Sequence, residues 1–170
     1  MSKLVIITGP SGAGKSTISK ELAEHSEGTW ALIGQDEIRE HVKAGYRHAD
    51  IEWDDETKKQ WEVSIAICCD MIKRYHDAKI NCVLELFAPP SEFEKWVQSL
   101  NDIEYKIVVL LPSVDETVSR NADRPLSMKE SKIRENHEWF TKWKPSEALI
   151  IDSTSQTIPE TVAEINHYLN

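Results

Sequence analysis

The nine residues Gly9-Pro10-Ser11-Gly12-Ala13-Gly14-Lys15-Ser16-Thr17 constrain this chain more than any others. They match GxxxxGK[ST] and follow directly on the apolar run Leu4-Val5-Ile6-Ile7. Glycines at these spacings let the backbone take positive φ, so that successive N–H groups converge on one anion. The cradle works only between a strand, which supplies a rigid entry, and a helix, whose N-terminal end adds positive potential. A helix is predicted from about Lys15 to Glu24, with Ile18 and Leu22 inward. In that context Lys15 would reach the β- and γ-phosphates of a nucleotide and Ser16 would ligate Mg²⁺.

The rest of the chain repeats the alternation. Trp30-Ala31-Leu32-Ile33 reads as a second strand ending at Gly34, followed by a short helix from Asp36 to Val42. Trp61, Ile65, Cys68, Ile72 and Tyr75 step by three and four, one face of a long amphipathic helix. A third strand is expected at 82–87, stopped by Pro89-Pro90, a fourth at 105–111 and a fifth at 148–151. A short helix from Ser113 follows the fourth strand, and a closing helix begins near Pro159, with Val162, Ile165 and Tyr168 or Leu169 inward. Short apolar strands separated by helices imply a parallel sheet covered on both faces. At 170 residues, with no repeat or linker, 1–170 reads as one α/β domain.

Composition narrows the partners. The formal net charge of −9 disfavours a polyanion or an anionic membrane surface as partner. No apolar run approaches the ~20 residues of a membrane span, and the N-terminus lacks a signal-peptide pattern. Cys68, Cys69 and Cys82 lack metal-site spacing and read as reduced core thiols, which with the missing signal sequence points to the cytoplasm.

Two further clusters bear on chemistry. Asp36 comes just past the second strand, at the sheet edge that carries the phosphate loop, and Arg39 lies one helical turn on. The pair offers a base for an acceptor hydroxyl and an anion or acceptor clamp, or else a helix cap beside a solvated arginine. Arg120 and Arg124, four apart, can close on a polyphosphate or merely end a solvated helix. The stretch 119–144 holds seven basic and four acidic residues within an otherwise acidic chain. Neither Asn-Lys-x-Asp nor Leu-Ser-Gly-Gly-Gln is present, which argues against a guanine-reading switch and an ABC-type ATPase.

The loop, Asp36-x-x-Arg39, Arg120-x-x-x-Arg124-Pro125 and Leu149-Ile150-Ile151-Asp152-Ser153-Thr154 together resemble the small P-loop kinases. That group includes chloramphenicol phosphotransferase, zeta-toxin kinases, the kinase domain of polynucleotide kinase, and gluconate and shikimate kinases. The resemblance implies a P-loop NTPase fold with a five-stranded sheet in the order 2-3-1-4-5 and a helical lid over about 119–144. It also implies Mg-ATP as donor, Asp36 beside the acceptor, Arg120 and Arg124 over the phosphates, and Asp152, Ser153 and Thr154 beside the adenine. One departure stands out. Where such a chain usually ends its third strand in Asp, this one offers Glu85 within Leu84-Glu85-Leu86-Phe87, to hold a magnesium-bound water, meet the acceptor or form a structural ion pair.

The acceptor is less legible. Asp50, Glu52, Asp54, Asp55 and Glu56 surround Trp53 and would repel a polynucleotide, unless they simply cap and solvate the long helix. Trp139 and Trp143, with His137 and Arg134, could close the site or pack in the core. The leading expectation is an ATP-dependent phosphotransferase acting on a small-molecule hydroxyl. A nucleoside, nucleotide or polynucleotide 5′-hydroxyl kinase and a nucleotide-dependent regulatory module stay open, as does a homodimer.

Overall fold

The structure, a computed structural model, describes residues 2–48, 53–100, 103–122, 128–143, 145 and 147–170. Its elements run β1 (Leu4–Thr8), α1 (Lys15–His25), β2 (Trp30–Gly34), α2 (Gln35–Arg39) and α3 (Asp55–Asp77), then β3 (Asn81–Glu85) and α4 (Pro90–Val97). After a 3₁₀ turn at Gln98–Leu100 come β4 (Lys106–Leu110), α5 (Val114–Ala122), α6 (Glu130–Lys142), β5 (Leu149–Ile151) and α7 (Ile158–Leu169). The strands pair in parallel in the order β2-β3-β1-β4-β5, the order the kinase resemblance implies.

Side-chain alternation explains why the strands are apolar without interruption. Leu4 and Ile6 of β1 point into one core, with Cys82 and Leu84 of β3 and Ile107 and Val109 of β4. Trp61, Ile65, Cys68 and Ile72 of α3, Phe93 of α4 and Phe140 of α6 cover that face. Val5, Ile7, Val83, Val108 and Leu110 point the other way, under Ile18 and Leu22 of α1 and Val162, Ile165 and Leu169 of α7. Leu169 rather than Tyr168 is the buried end of α7, whose start is fixed by a capping box between Thr157 and Glu160.

Several elements differ in extent from the sequence expectation. The third strand stops at Glu85, short of Phe87. Its neighbour β1 ends at Thr8 and turns away at Gly9 (φ 147°), so the pairing with β1 closes on the bond from Leu86 N–H to the Ile7 carbonyl. The helix expected over 36–42 is regular only over Gln35–Arg39. Beyond it the His41 and Val42 N–H groups reach back three residues, to Ile38 and Arg39, which tightens and ends the turn. Pro89-Pro90 does more than stop a strand: Pro90 opens α4, where its missing N–H costs nothing. Among the described residues no helix is long and apolar enough to cross a membrane.

Candidate active site

All five strands being parallel, their carboxyl ends share one edge, and the sequence switches direction around β1: β3 and β2 lie to one side of it, β4 and β5 to the other. Such an edge is where α/β sheets bind ligands. The loop after β1 wraps there with Gly9, Gly12 and Gly14 at φ of 147°, 89° and 90°. A Cβ on Gly9 would stand 2.2 Å from the Leu110 carbonyl oxygen, and one on Gly12 would stand 2.5 Å from the Thr117 carbonyl oxygen. The loop is therefore pressed against β4 and α5 and admits glycine alone at both places. Lys15 is buried, donates from Nζ to the Pro10 carbonyl at 3.1 Å, and lies 5.6 Å from the centre of the Phe87 ring. This glycine-shaped cradle, lysine and helix N-terminus fit a nucleotide polyphosphate.

On the β3 side, strand parity puts Glu85 on the same face as Val83, which packs towards α1. Its Oε1 accepts a hydrogen bond of 2.8 Å from the hydroxyl of Ser16, the second residue of α1. The carboxylate of the divergent third strand thus meets the hydroxyl that sequence reading assigns to Mg²⁺. The described residues hold no cluster of three or more His, Cys, Asp or Glu at metal-binding range, so a cation here would be completed by phosphate oxygens and water, the usual preference of Mg²⁺.

Asp36 sits in the first turn of α2, capped by no side chain of its own, with 65% of its side chain exposed; Arg39 is only 4% exposed. Arg39 Nη1 bonds Asp36 Oδ1 at 3.2 Å and Nη2 bonds the Arg47 carbonyl at 2.9 Å. Its guanidinium carbon also lies 5.5 Å from the Tyr46 ring centre and 5.1 Å from that of Trp61. The arginine expected to clamp an acceptor is engaged in holding Asp36, while the carboxylate itself faces solvent.

On the β4–β5 side, Arg120 Nε bonds Glu116 at 2.7 Å and Nη2 bonds the Ser153 carbonyl at 3.1 Å. Its Nη1 stands 3.8 Å from the position of a Cβ on Gly14, so the guanidinium lies beside the phosphate loop. Asp152 accepts from the Thr154 N–H at 3.0 Å and from the Thr154 hydroxyl, bonds that hold its carboxyl below the usual range. The Thr154 hydroxyl oxygen in turn accepts from the Ser113 N–H at 2.7 Å, tying the ends of β4 and β5 together. Ser153 is buried, its Oγ without a partner among the described residues. Arg124 and Pro125 lie outside the described residues, as do Asp50 and Glu52 of the acidic segment.

Between α2, α3, the phosphate loop and α6 lies a cavity of about 640 Å³. Lys15, Ser16, Asp36 and Glu85 all reach it, from three different strand ends. Sequence reading placed Trp61 in the core, noted Tyr46 only as part of the stretch before the acidic segment, and gave Phe87 and Lys132 no role at the site, though all of them line it. Phe87 carried a readable signal, two residues past a strand's carboxyl end; Tyr46 and Lys132 carried none. Trp53 stands at the cavity with its ring 5.5 Å from Trp61, edge to face. Asp54, next to it, caps α3 by accepting from the Thr57 N–H at 2.7 Å, so part of the acidic segment is structural. The two tryptophans of α6 divide: Trp139 lines the cavity, and Trp143 packs on Phe93 and Phe140. His137 bonds the Pro112 carbonyl at 2.8 Å, and Arg134 pairs with Glu130 and Asp115. With Phe140 and Ile133 fully buried, α6 is anchored in the core.

Fold and site together define a nucleotide-binding P-loop protein with the sheet of the small-molecule kinases. A family model described as AAA domain matches residues 4–143, and the chain belongs to that family. A comparison with curated proteins found no match. Among solved structures, a sugar kinase from a Janibacter species is similar at a TM-score of 0.72 and 17% identity, over 99% of this chain and 95% of that one. A gluconokinase from Sinorhizobium meliloti gives 0.71 and 20%, over 98% and 91%. Shikimate kinase from Acinetobacter baumannii, in complex with shikimate, gives 0.69 and 16%, over 98% and 92%. At these identities the likeness is one of fold.

Proposed function

We propose that the protein transfers the γ-phosphoryl group of Mg-ATP to a hydroxyl of a small molecule. The observation that carries this reading is the shared cavity: Asp36 opens onto the same 640 Å³ space as Lys15 and Ser16. A hydroxyl compound there would lie between a carboxylate and the end of the phosphate loop. In the transfer, the acceptor oxygen forms a bond to the γ-phosphorus as the bond to the β-bridging oxygen breaks. Asp36 orients the acceptor and takes its proton, and ADP leaves. Lys15 and Arg120, joined by Arg124, balance the charge that spreads over the migrating group. Gly9 to Thr17 cradle the phosphates, and Asp152, Ser153 and Thr154 border the adenine. Ser16 would hold Mg²⁺, which would supply charge neutralisation of the phosphates, with Glu85 fixing the Ser16 hydroxyl.

Carboxylates on the acceptor side disfavour a polynucleotide end. The test is a screen of metabolites, antibiotics and nucleosides with γ-labelled ATP, read by the mass shift of the acceptor. Lys15→Ala should abolish transfer, and Asp36→Asn should lower kcat far more than it weakens ATP binding. Wild-type kcat in Asp36→Asn with the true acceptor removes Asp36 from catalysis. Slow hydrolysis with no phosphorylated product from any class replaces the kinase reading with that of a nucleotide-dependent regulatory module.

A further inference from the structure

We infer that the acceptor is an amphipathic hydroxyl compound with a flat apolar body and no anionic group, neutral or cationic, lodged against the rings of Trp53, Trp61, Phe87 and Trp139. The inference rests on the kinase reading above and names the acceptor class for the same cavity. The rings are continuous: Trp61 meets Trp53 at 5.5 Å and Phe87 at 6.3 Å, both edge to face. Trp139 lines the cavity from α6. Trp53 keeps 55% of its surface exposed, a large apolar area at the mouth of a cleft. Rings so placed reward flat apolar surface and attract cations.

Charge points the same way. Among the described residues the cavity's one lining arginine, Arg39, has its guanidinium beside two rings and bonded to Asp36 and the Arg47 carbonyl, as described above. Lys132 stands 5.0 Å from the Trp139 ring centre and 3.0 Å from Glu135. Lys15 belongs to the phosphates. Against them, Glu40, Glu62 and Glu92 join Asp36 and Glu85 on the lining, with Lys58 the remaining lysine. Among the described lining residues an acceptor carboxylate would face five others and one guanidinium that already holds Asp36 and the Arg47 carbonyl. An ammonium would instead meet carboxylates and the exposed Trp53 ring together.

Three probes that share a benzyl group and a hydroxyl test this: 3-phenylpropane-1,2-diol (neutral), phenylalaninol (cationic) and 3-phenyllactate (anionic), with gluconate as a non-aromatic anion. Each is titrated calorimetrically into the full chain saturated with the magnesium complex of a non-hydrolysable ATP analogue. The diol and phenylalaninol should bind about tenfold or more tighter than either anion. Trp53→Ala should weaken both by roughly 2–10-fold and Trp53→Phe should restore most of that, which a general loss of structure would not do. Equal or tighter binding of 3-phenyllactate or gluconate overturns the inference, as does no measurable binding of the diol and phenylalaninol. Thermal unfolding separates the two levels: a chain that Mg-ATP does not stabilise loses the kinase reading itself, and one that it does stabilise but that prefers the anions loses only the acceptor class.

Discussion

Replacing Gly12 with alanine probes the phosphate loop most directly, because its cost can be worked from the geometry. Gly12 holds φ of 89°, and a new Cβ would lie 2.5 Å from the Thr117 carbonyl oxygen. The left-handed backbone alone costs an L-residue about 1–2 kcal/mol. The contact adds to this, since ordinary van der Waals separation begins near 3.4 Å and the obstacle is backbone. The Thr117 carbonyl belongs to α5, whose Asn121 is bonded to the Met128 carbonyl at 3.1 Å, so the helix cannot withdraw without breaking that tie. The strain must then emerge in one of two measurements. A loop that keeps its shape lowers Tm by more than about 2–8 °C, the range that the backbone cost alone implies for a domain of this size. A loop that relaxes weakens ATP binding by more than about 5–30-fold, because the cradle must be rebuilt against both the backbone cost and the collision. Gly45→Ala is the control: φ is 77° there, but no heavy atom lies within 4 Å of the new Cβ, so it reports the backbone cost without the collision. Calorimetric titration of Mg-ATP and thermal unfolding of both variants decide the matter. Unchanged Tm and affinity in Gly12→Ala, or effects no larger than those of Gly45→Ala, would refute the reasoning.

Further outcomes are expected. Glu85→Ala should raise the Mg²⁺ concentration needed for half-maximal activity by about 10–100-fold, through loss of the bond that fixes Ser16; an unchanged Mg²⁺ dependence would detach Glu85 from the metal. Phe140→Ala, a fully buried ring shared by α6 and the core, should cost roughly 3–5 kcal/mol in a denaturant melt. Asp54, Glu56, Asp152 and Glu160 sit below their ordinary values through hydrogen bonds made in the folded chain. Their stabilisation is complete above the unfolded values of 3.8 and 4.5 and is lost as pH falls through the lower folded ones, so Tm should be level near neutrality and fall on the acid side; Asp152→Ala should make that fall shallower. Burial pushes the Cys68 thiol up to about 12 and the Cys82 thiol up to about 11, so the native protein should resist iodoacetamide at pH 8, while the unfolded chain takes up three equivalents.

The sheet was legible because its physics is local. Five short apolar runs, each followed by turn residues and a helical period, leave a parallel sheet as the economical arrangement, and the glycine spacing locates its active edge. Glu85 shows how far such reasoning extends: the sequence marks it as the unusual acid of the third strand and leaves its role open, and only the fold pairs it with Ser16. Arg39 shows where it stops. Spacing puts Arg39 one turn from Asp36, but its burial between Tyr46 and Trp61 depends on how the chain returns from α2 to α3, a non-local matter. The helix α4 was hidden for a different reason, since Pro-Pro reads as well for a strand end as for a helix start. Trp61 satisfies the core periodicity of α3 and lines the cavity as well, and a pattern of apolar positions cannot separate those two uses.

The central position of β1 divides labour in a way that bears on how such a chain can change. On the proposed function, groups bordering the nucleotide would arise from β4, β5 and α5, and those bordering the acceptor from β2, β3, α2, α3 and α6, with the phosphate loop as the seam between them. Substitutions in the α2–α3 half can therefore alter what is recognised while the other half keeps its partner, and changes in the two halves should combine close to additively where they share no contact. Lys15 and Ser16 join them, since both belong to the loop, yet Lys15 lies against Phe87 and Ser16 bonds Glu85 on the cavity wall. A mutation at Phe87 would thus be felt on both sides of the seam, as would one at Glu85, which holds the Ser16 hydroxyl.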